Sequence, residues 1–165
     1  MSAYDLELLS DRHHRSGFCC GKESLDRYLR DTARGHLAKG VSVTRVLVER
    51  DAIPPVAILG YFTLTTVLVE AANWPGAVKG LPRMPVPVVL LGRLAVAEGH
   101  QGKGIARLLL AAAREIAAAS MLGTGGIGLL VDAADEDLVG FYEKYGFKGV
   151  AEGSLRLFLP TSSLR

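Results

Sequence analysis

The stretch from Gly92 to Ala113, GRLAVAEGHQGKGIARLLLAAA, constrains this chain more than any other. An apolar, strand-like segment comes first. Gly99, Gly102 and Gly104 follow, and then a long alanine- and leucine-rich run of helical character. The first-turn N–H groups of a helix lack internal partners and carry the positive end of its dipole. Glycines just before that turn let an anion approach the backbone with no Cβ in the way. A fold containing this stretch must therefore end a strand at a helix N-terminus built to receive negative charge.

The flanking segments read as one mixed α and β domain over residues 1–165, without internal repeat or linker. ESLDRYLRDTARGHLAKG predicts a helix from about Ser24 to Lys39, with Ser24 as N-cap and Gly40 as its stop. At about 100° per residue, Leu25, Tyr28, Leu29, Ala33 and His36 share one face. Arg27, Arg30 and Arg34 fall within about 60° of each other on the opposite face, so an arginine stripe faces solvent. VSVTRVLVER and VAILGYFTLTTVLVE predict an antiparallel hairpin joined by the plain turn DAIPP. AANWPGAVKGLPRMPVP is a Pro/Gly-rich connection bearing Trp74, Lys79 and Arg83; loops of that length are functional or disordered. The strand VPVVLLGRLAVA, the helix QGKGIARLLLAAAREIAAAS and the strand GGIGLLVDA come next. A helix from near Asp135 to Tyr145, stopped by Gly146, and a last strand GSLRLFLP complete the chain.

With 165 residues, 49% of them hydrophobic and 22% charged, the chain is globular and long enough for a substantial core. Apolar runs such as Val86 to Leu91 fall far short of the roughly 20 residues of a membrane span. MSAYDLELLSDRHH has no apolar signal core. A soluble cytoplasmic protein with no membrane partner is expected. The two cysteines, Cys19 and Cys20, are neighbours, and Cα atoms about 3.8 Å apart are too close for an unstrained disulfide. No C-x-x-C or H-x-x-x-H spacing exists, so no metal site is expected.

The formal net charge of +2 conceals an asymmetry. Residues 12–50 hold nine Lys/Arg against four Asp/Glu, and residues 79–114 hold six against one. Residues 132–152 reverse this, with six acids and two lysines. The basic regions either face a polyanion or are ordinary solvated charge.

Two phosphate motifs fail on the glycine stretch. A Walker loop requires Gly five positions before Gly102 and Ser or Thr after Lys103; Ala97 and Gly104 stand there. A dinucleotide fingerprint requires Gly or Ala where Arg107 stands. What remains is Q-x-x-G-x-A, formed by Gln101, Gly104 and Ala106. It resembles the coenzyme A motif [R/Q]-x-x-G-x-[G/A] of the GNAT superfamily of N-acetyltransferases. The resemblance implies a central mixed, mostly antiparallel sheet flanked by helices, with acetyl-CoA as cofactor. It also implies that Leu94, Ala95 and Val96 pair with the pantetheine arm. Gln101, Gly102, Lys103, Gly104, Ile105 and Ala106 would then hold the pyrophosphate.

Downstream, GFYEKYGF resembles the family's F-Y-x-x-x-G-F, whose tyrosine protonates the departing thiolate; carried over, that residue is Tyr142. A phenol of pKa about 10 stays protonated at neutral pH and suits the role. The other reading is packing alone, because Phe141 and Tyr145 lie four apart on one face with Gly146 as C-cap. Phe141 and Tyr145 would line the cofactor, and Tyr145 is the alternative acid.

The N-terminal third, DRHHRSGFCCGKESLDRYL, is similar to the start of GNAT toxins from bacterial type II toxin–antitoxin pairs. Their D-R-H, F-x-C and L-D-x-[W/Y]-L match Asp11, Arg12, His13, Phe18, Cys20, Leu25, Asp26, Tyr28 and Leu29. PVVLLGRLAV and LRLFLP resemble their later strands, so the likeness spans about residues 5–160. It implies acetylation of the α-amine of aminoacyl-tRNA and a block of translation. A ribbon-helix-helix antitoxin, a homodimer, and DNA bound only indirectly through the antitoxin are the partners implied. An α-amine of pKa about 7.7–8.0 is partly neutral at neutral pH, which agrees with the absence of an evident general base. Lys22, Arg27, Arg30, Arg34, Lys39, Lys79, Arg83 and Arg93 are candidates for tRNA contact. Arg93, on the strand beside Leu94, either orients the acceptor end or pairs with an acid. Two alternatives stand beside this one: acetylation of a small amine or protein lysine, and a module that binds antitoxin and co-represses.

Overall fold

Apolar and β-branched runs make the strands of this molecule. The structure, a computed structural model, describes residues 3–70 and 80–164. β1 (Tyr4–Leu8), β3 (Val43–Glu49), β5 (Gly60–Val69), β6 (Val86–Val96), β7 (Gly128–Asp132), β8 (Lys148–Gly149) and β9 (Arg156–Pro160) form one sheet. Its order is β1-β3-β5-β6-β7-β9-β8. The pairs β1/β3, β7/β9 and β8/β9 are antiparallel, whereas β6/β7 is parallel, with Val89 opposite Leu129. β2 (His13–His14) pairs in parallel with β4 (Val56–Ala57) as a separate ribbon. The helices among the described residues are α1 (Glu23–Asp31), α2 (Ala33–Ala38), α3 (Ile105–Thr124) and α4 (Glu136–Lys144). The fold is mixed α+β, as expected. None of these helices is long and apolar enough to cross a membrane, and no cluster of His, Cys, Asp and Glu among the described residues suits a metal ion.

The chain resolves into two compact units, residues 1–63 with 93–112, and residues 64–92 with 113–165. In the first, Phe18, Leu25, Leu29, Val46, Ile58, Tyr61 and Ala95 form the core. The buried Tyr61 hydroxyl donates to the Leu25 carbonyl at 2.6 Å, pinning α1 to β5. A Cβ at Gly60 would come within 2.9 Å of Leu109 Cδ1 and 3.0 Å of the Ala95 carbonyl oxygen. Glycine there permits the close approach of strand to helix.

Three expectations need correction in this unit. The single helix from Ser24 to Lys39 is two, broken at Thr32, whose φ of −123° lies outside the helical range. β-branching restricts the Thr32 side chain against the preceding turn and lowers its helix propensity. The N-cap is Lys22 rather than Ser24, with no side-chain capping bond, and Gly40 does follow α2 at φ +72°. The turn after β3 is not plain either: Val56 donates its N–H to the Arg12 carbonyl at 2.8 Å, so Val56–Ala57 leaves for β2 before β5 begins. β1 was not anticipated at all; its YDLEL pairs with β3 from Tyr4↔Glu49 to Leu8↔Arg45.

In the second unit Leu129, Leu130 and Val131 are fully buried, the continuous apolar run of a strand covered on both faces. Ala113, Ala117 and Met121, four apart along α3, are buried as well. Asp135 caps α4 by accepting the Leu138 N–H at 3.1 Å, and Gly146 follows it at φ +94°. This helix begins and ends where its cap residues predict.

Candidate active site

In the first unit, Leu94, Ala95 and Val96 end β6, with each side chain buried. The Ala97 N–H donates to the Leu59 carbonyl at 2.9 Å, which fixes the strand's exit. A short 3-10 turn, Glu98–His100, leads to Gln101. The helix expected from Gln101 begins instead at Ile105, and the four residues before it form the turn. Gly102 (φ +78°) and Gly104 (φ +81°) both adopt left-handed backbone, and a Cβ on either would meet nothing within 4 Å. Among the described residues, the N–H groups of Gly102, Lys103 and Gly104 make no main-chain hydrogen bond. Lys103 is exposed, Ala106 half-buried and Ile105 buried, anchoring the helix start.

The result is an open cradle of unpaired N–H groups at the positive end of a twenty-residue helix. A pyrophosphate fits it on geometry and charge. Gln101 behaves differently: its Nε2 donates to the carbonyls of Cys20 and Val96, both at 2.9 Å.

In the second unit, Tyr142 is 3% exposed and sits edge-on to Phe141 (5.2 Å between centroids) and Phe147 (5.7 Å). Burial pushes its phenol above the usual tyrosine range. Tyr145 is the C-cap of α4 and packs edge-on to Phe141 at 5.2 Å.

The basic candidates spread over several elements. Arg27 and Arg30 lie on α1 and Arg34 on α2, all exposed as the stripe predicts. Each is ion-paired: Arg27 with Glu23 (3.7 Å), Arg30 with Glu23 and Asp31 (3.8 and 3.1 Å), Arg34 with Asp11. Lys39 and Arg83 are exposed, Lys22 is half-buried, and Lys79 lies outside the described residues, as does Trp74. Arg93 is half-buried on β6 and stacks on Tyr28.

Three residues without an assigned role in the sequence reading prove structurally central. Asp26, 6% exposed, accepts the Cys20 N–H on Oδ1 at 2.9 Å. Ser42 and His36 both hydrogen-bond the Tyr28 hydroxyl, at 2.8 and 3.1 Å. Cys19 and Cys20 are free thiols, and burial followed by Asp26 pushes Cys20 up to about 11. No spacing in the sequence joins these groups, because each bond spans separate segments.

Residues 46–149 match the acetyltransferase (GNAT) domain model. The chain belongs to the GNAT acetyltransferases. A tRNA-acetylating toxin of Mycobacterium tuberculosis (strain ATCC 25618 / H37Rv) is 35% identical over 168 residues, covering 100% of this chain and 97% of that protein. AtaT complexed with acetyl-methionyl-tRNAfMet is 31% identical, with TM-score 0.87 over 98% of this chain and 96% of its own. A tyrosine-to-phenylalanine mutant of the AtaT toxin, bound to the C-terminus of the antitoxin AtaR and to acetyl-CoA, is 29% identical, with TM-score 0.82. That alignment covers 99% of this chain and 96% of the AtaT chain. This GNAT domain is thus that of an acyl-transferring enzyme, and its likeness to the toxins runs the length of the chain.

Proposed function

We propose that this acetyltransferase is a toxin that acetylates the α-amine of the amino acid on charged tRNA and so blocks translation. The observation that carries the proposal is 35% identity to a tRNA-acetylating toxin along the whole chain, rather than over the coenzyme motif alone.

Acetyl-CoA, when bound, supplies an acetyl group on a thioester. Gly102, Lys103, Gly104 and Ile105 offer main-chain N–H groups to its pyrophosphate, and the end of β6 at Leu94 to Val96 offers main-chain partners to its pantetheine arm. The amine of the charged tRNA, neutral in part at neutral pH, attacks the carbonyl carbon directly. The C–N bond forms, the C–S bond breaks, and the amine's surplus proton passes to solvent. The Tyr142 phenol gives its proton to the departing sulfur. The tyrosinate left behind has a conjugate acid of pKa well above neutral, so the phenol is restored by a proton from water.

Arg27, Arg30, Arg34, Lys39, Lys22, Lys79, Arg83 and Arg93 are the proposed phosphate contacts. The ion pairs of the three helix arginines are exposed and worth little, so exchanging a carboxylate for a tRNA phosphate is cheap. A ribbon-helix-helix antitoxin neutralises the toxin and brings it to DNA, and the toxin works as a homodimer. Cytoplasmic action accords with a tRNA substrate.

The test incubates purified protein with acetyl-CoA and a mixed pool of charged tRNA, then reads acetyl-aminoacyl-adenosine by mass spectrometry after digestion. Acetylated product is expected, and its mass names the amino acid. Coenzyme binding without any acetylated tRNA would instead turn the search to small amines and peptide lysines.

A further inference from the structure

Gln101 opens the coenzyme motif, yet its carboxamide is spent on the protein itself. Nε2 bridges the Val96 carbonyl, at the end of β6, and the Cys20 carbonyl, in the loop before α1, each at 2.9 Å. Beside it the Glu98 N–H donates to the Cys19 carbonyl at 2.9 Å. The Cys20 N–H donates in turn to Oδ1 of Asp26, a buried carboxylate in the first turn of α1. Four hydrogen bonds thus run from the exit of β6, through the loop at Cys19 and Cys20, into α1. Gln101 is also the direct neighbour of Gly102, the first residue of the N–H cradle.

We propose that Gln101 is a positioning residue that couples the order of the coenzyme loop to the order of α1, the helix bearing Arg27 and Arg30. The inference rests on Gly102 to Ala106 being the acetyl-CoA loop and on α1 facing tRNA. An anion held by the cradle fixes the backbone of Gly102 and thereby the root of the Gln101 side chain. The two carbonyls it serves are part-buried, so they lose their donor whenever that side chain swings away. Ordering one end then lowers the cost of ordering the other, which is coupling without a large shape change. Coenzyme binding sets the acceptor helix, and charged tRNA meets a preordered surface.

Hydrogen exchange read by mass spectrometry, with coenzyme A as the probe, tests this. In the wild type, coenzyme A slows exchange over residues 100–108 and also over 18–30. The second effect should be about fivefold or more, the lower end of site-to-site coupling. Gln101→Leu and Gln101→Met both remove the donor while filling a similar volume and adding no charge. Each still binds coenzyme A, because no bond to the coenzyme is lost, but protection over 18–30 disappears. The KM for charged tRNA rises in both variants while that for acetyl-CoA stays.

A wild-type footprint confined to 100–108 overturns the proposal, even if a variant proves unstable. So does 18–30 protection that survives in both variants. Loss of coenzyme A affinity in the variants overturns it too, and makes Gln101 a coenzyme ligand instead. A wild type that binds no coenzyme A fells the loop reading and this inference together. A wild-type footprint over 18–30 that the variants lose, with no change in the KM for tRNA, supports the coupling and removes only α1 as a tRNA surface.

Discussion

The guanidinium carbon of Arg93 lies 3.6 Å from the centroid of the Tyr28 ring. Tyr28 is itself fixed, its hydroxyl bonded to Ser42 Oγ and His36 Nδ1. Among the described residues Arg93 joins no ion pair, unlike Arg27, Arg30 and Arg34. A stacked, half-buried guanidinium with no acid beside it keeps its N–H donors for another partner.

If that partner is the acceptor end of charged tRNA, Arg93→Ala lowers kcat/KM for charged tRNA by about tenfold or more, the equivalent of roughly 1.4 kcal/mol. Arg93→Lys recovers little, because a lysine ammonium neither stacks as a plane nor donates as a fork. Steady-state kinetics at saturating acetyl-CoA measure this, and coenzyme affinity should stay unchanged in both variants. Wild-type kinetics from Arg93→Ala would leave the stack a packing feature only.

Tyr142→Phe removes the proposed acid while leaving an aromatic ring between Phe141 and Phe147. A fall in kcat of about 10²–10⁴ is expected, with coenzyme affinity retained. Burial raises the phenol's pKa, so the wild-type kcat should show no falling alkaline limb from this group below about pH 10. The same shift has a stability consequence. The folded pKa lies above the unfolded one, so the contribution is complete below about pH 10 and is lost as pH rises through the folded value. Tyr61, raised by burial in the same direction, adds to that loss. Melting temperature against pH should therefore fall less steeply above pH 10 in the phenylalanine variant.

Gly104→Ala probes the cradle. The left-handed backbone at φ +81° disfavours any side chain, and a Cβ there would occupy the open space a pyrophosphate needs. Coenzyme A affinity should fall about tenfold or more, beyond a stability loss of about 1 kcal/mol for the backbone strain. Titration calorimetry separates the two. Gly140→Ala, at an exposed position of α4 with nothing within 4 Å of its added Cβ, is the control and should stabilise by about 0.5–1 kcal/mol.

How much of this was legible in the sequence depended on whether a feature is local. β6, β7 and α4 announce themselves through apolar runs and caps, and the glycine turn lies within one stretch from Gly99 to Gly104. The break at Thr32 was hidden because one β-branched residue weighs little against the surrounding leucine periodicity. β1 was hidden because YDLEL is made a strand by the free edge of β3, a tertiary cause. The Arg27–Glu23 pair is four residues apart and readable, whereas Arg34 meets Asp11 only in the fold. Gln101 reads as a coenzyme residue by motif position. Nothing in its surroundings points to the Cys20 carbonyl, 81 residues earlier in the chain.

Arg114 is the only cation in α3 beyond its first turn, within an alanine-rich run. Its Nη1 donates to the Tyr145 carbonyl at 3.2 Å and its Nη2 to the Ser163 carbonyl at 3.4 Å. A positive charge on the last carbonyls of α4 favours that helix's dipole, and the same side chain ties down the turn after β9. Arg114→Met keeps the apolar stem but removes both bonds, and should destabilise by about 1–3 kcal/mol. For a chain of this length that lowers Tm by about 2–4 °C per kcal/mol. The kinetic effect should be smaller than that of Tyr142→Phe. The Tyr142 carbonyl still accepts the N–H groups of Tyr145 (3.0 Å) and Phe147 (3.3 Å), which hold the end of α4 without Arg114. Stability and turnover thus separate in opposite patterns: Arg114→Met melts early and works, Tyr142→Phe holds its Tm near neutral pH and does not. An Arg114→Met protein with unchanged Tm would show that the clamp adds nothing to those main-chain bonds.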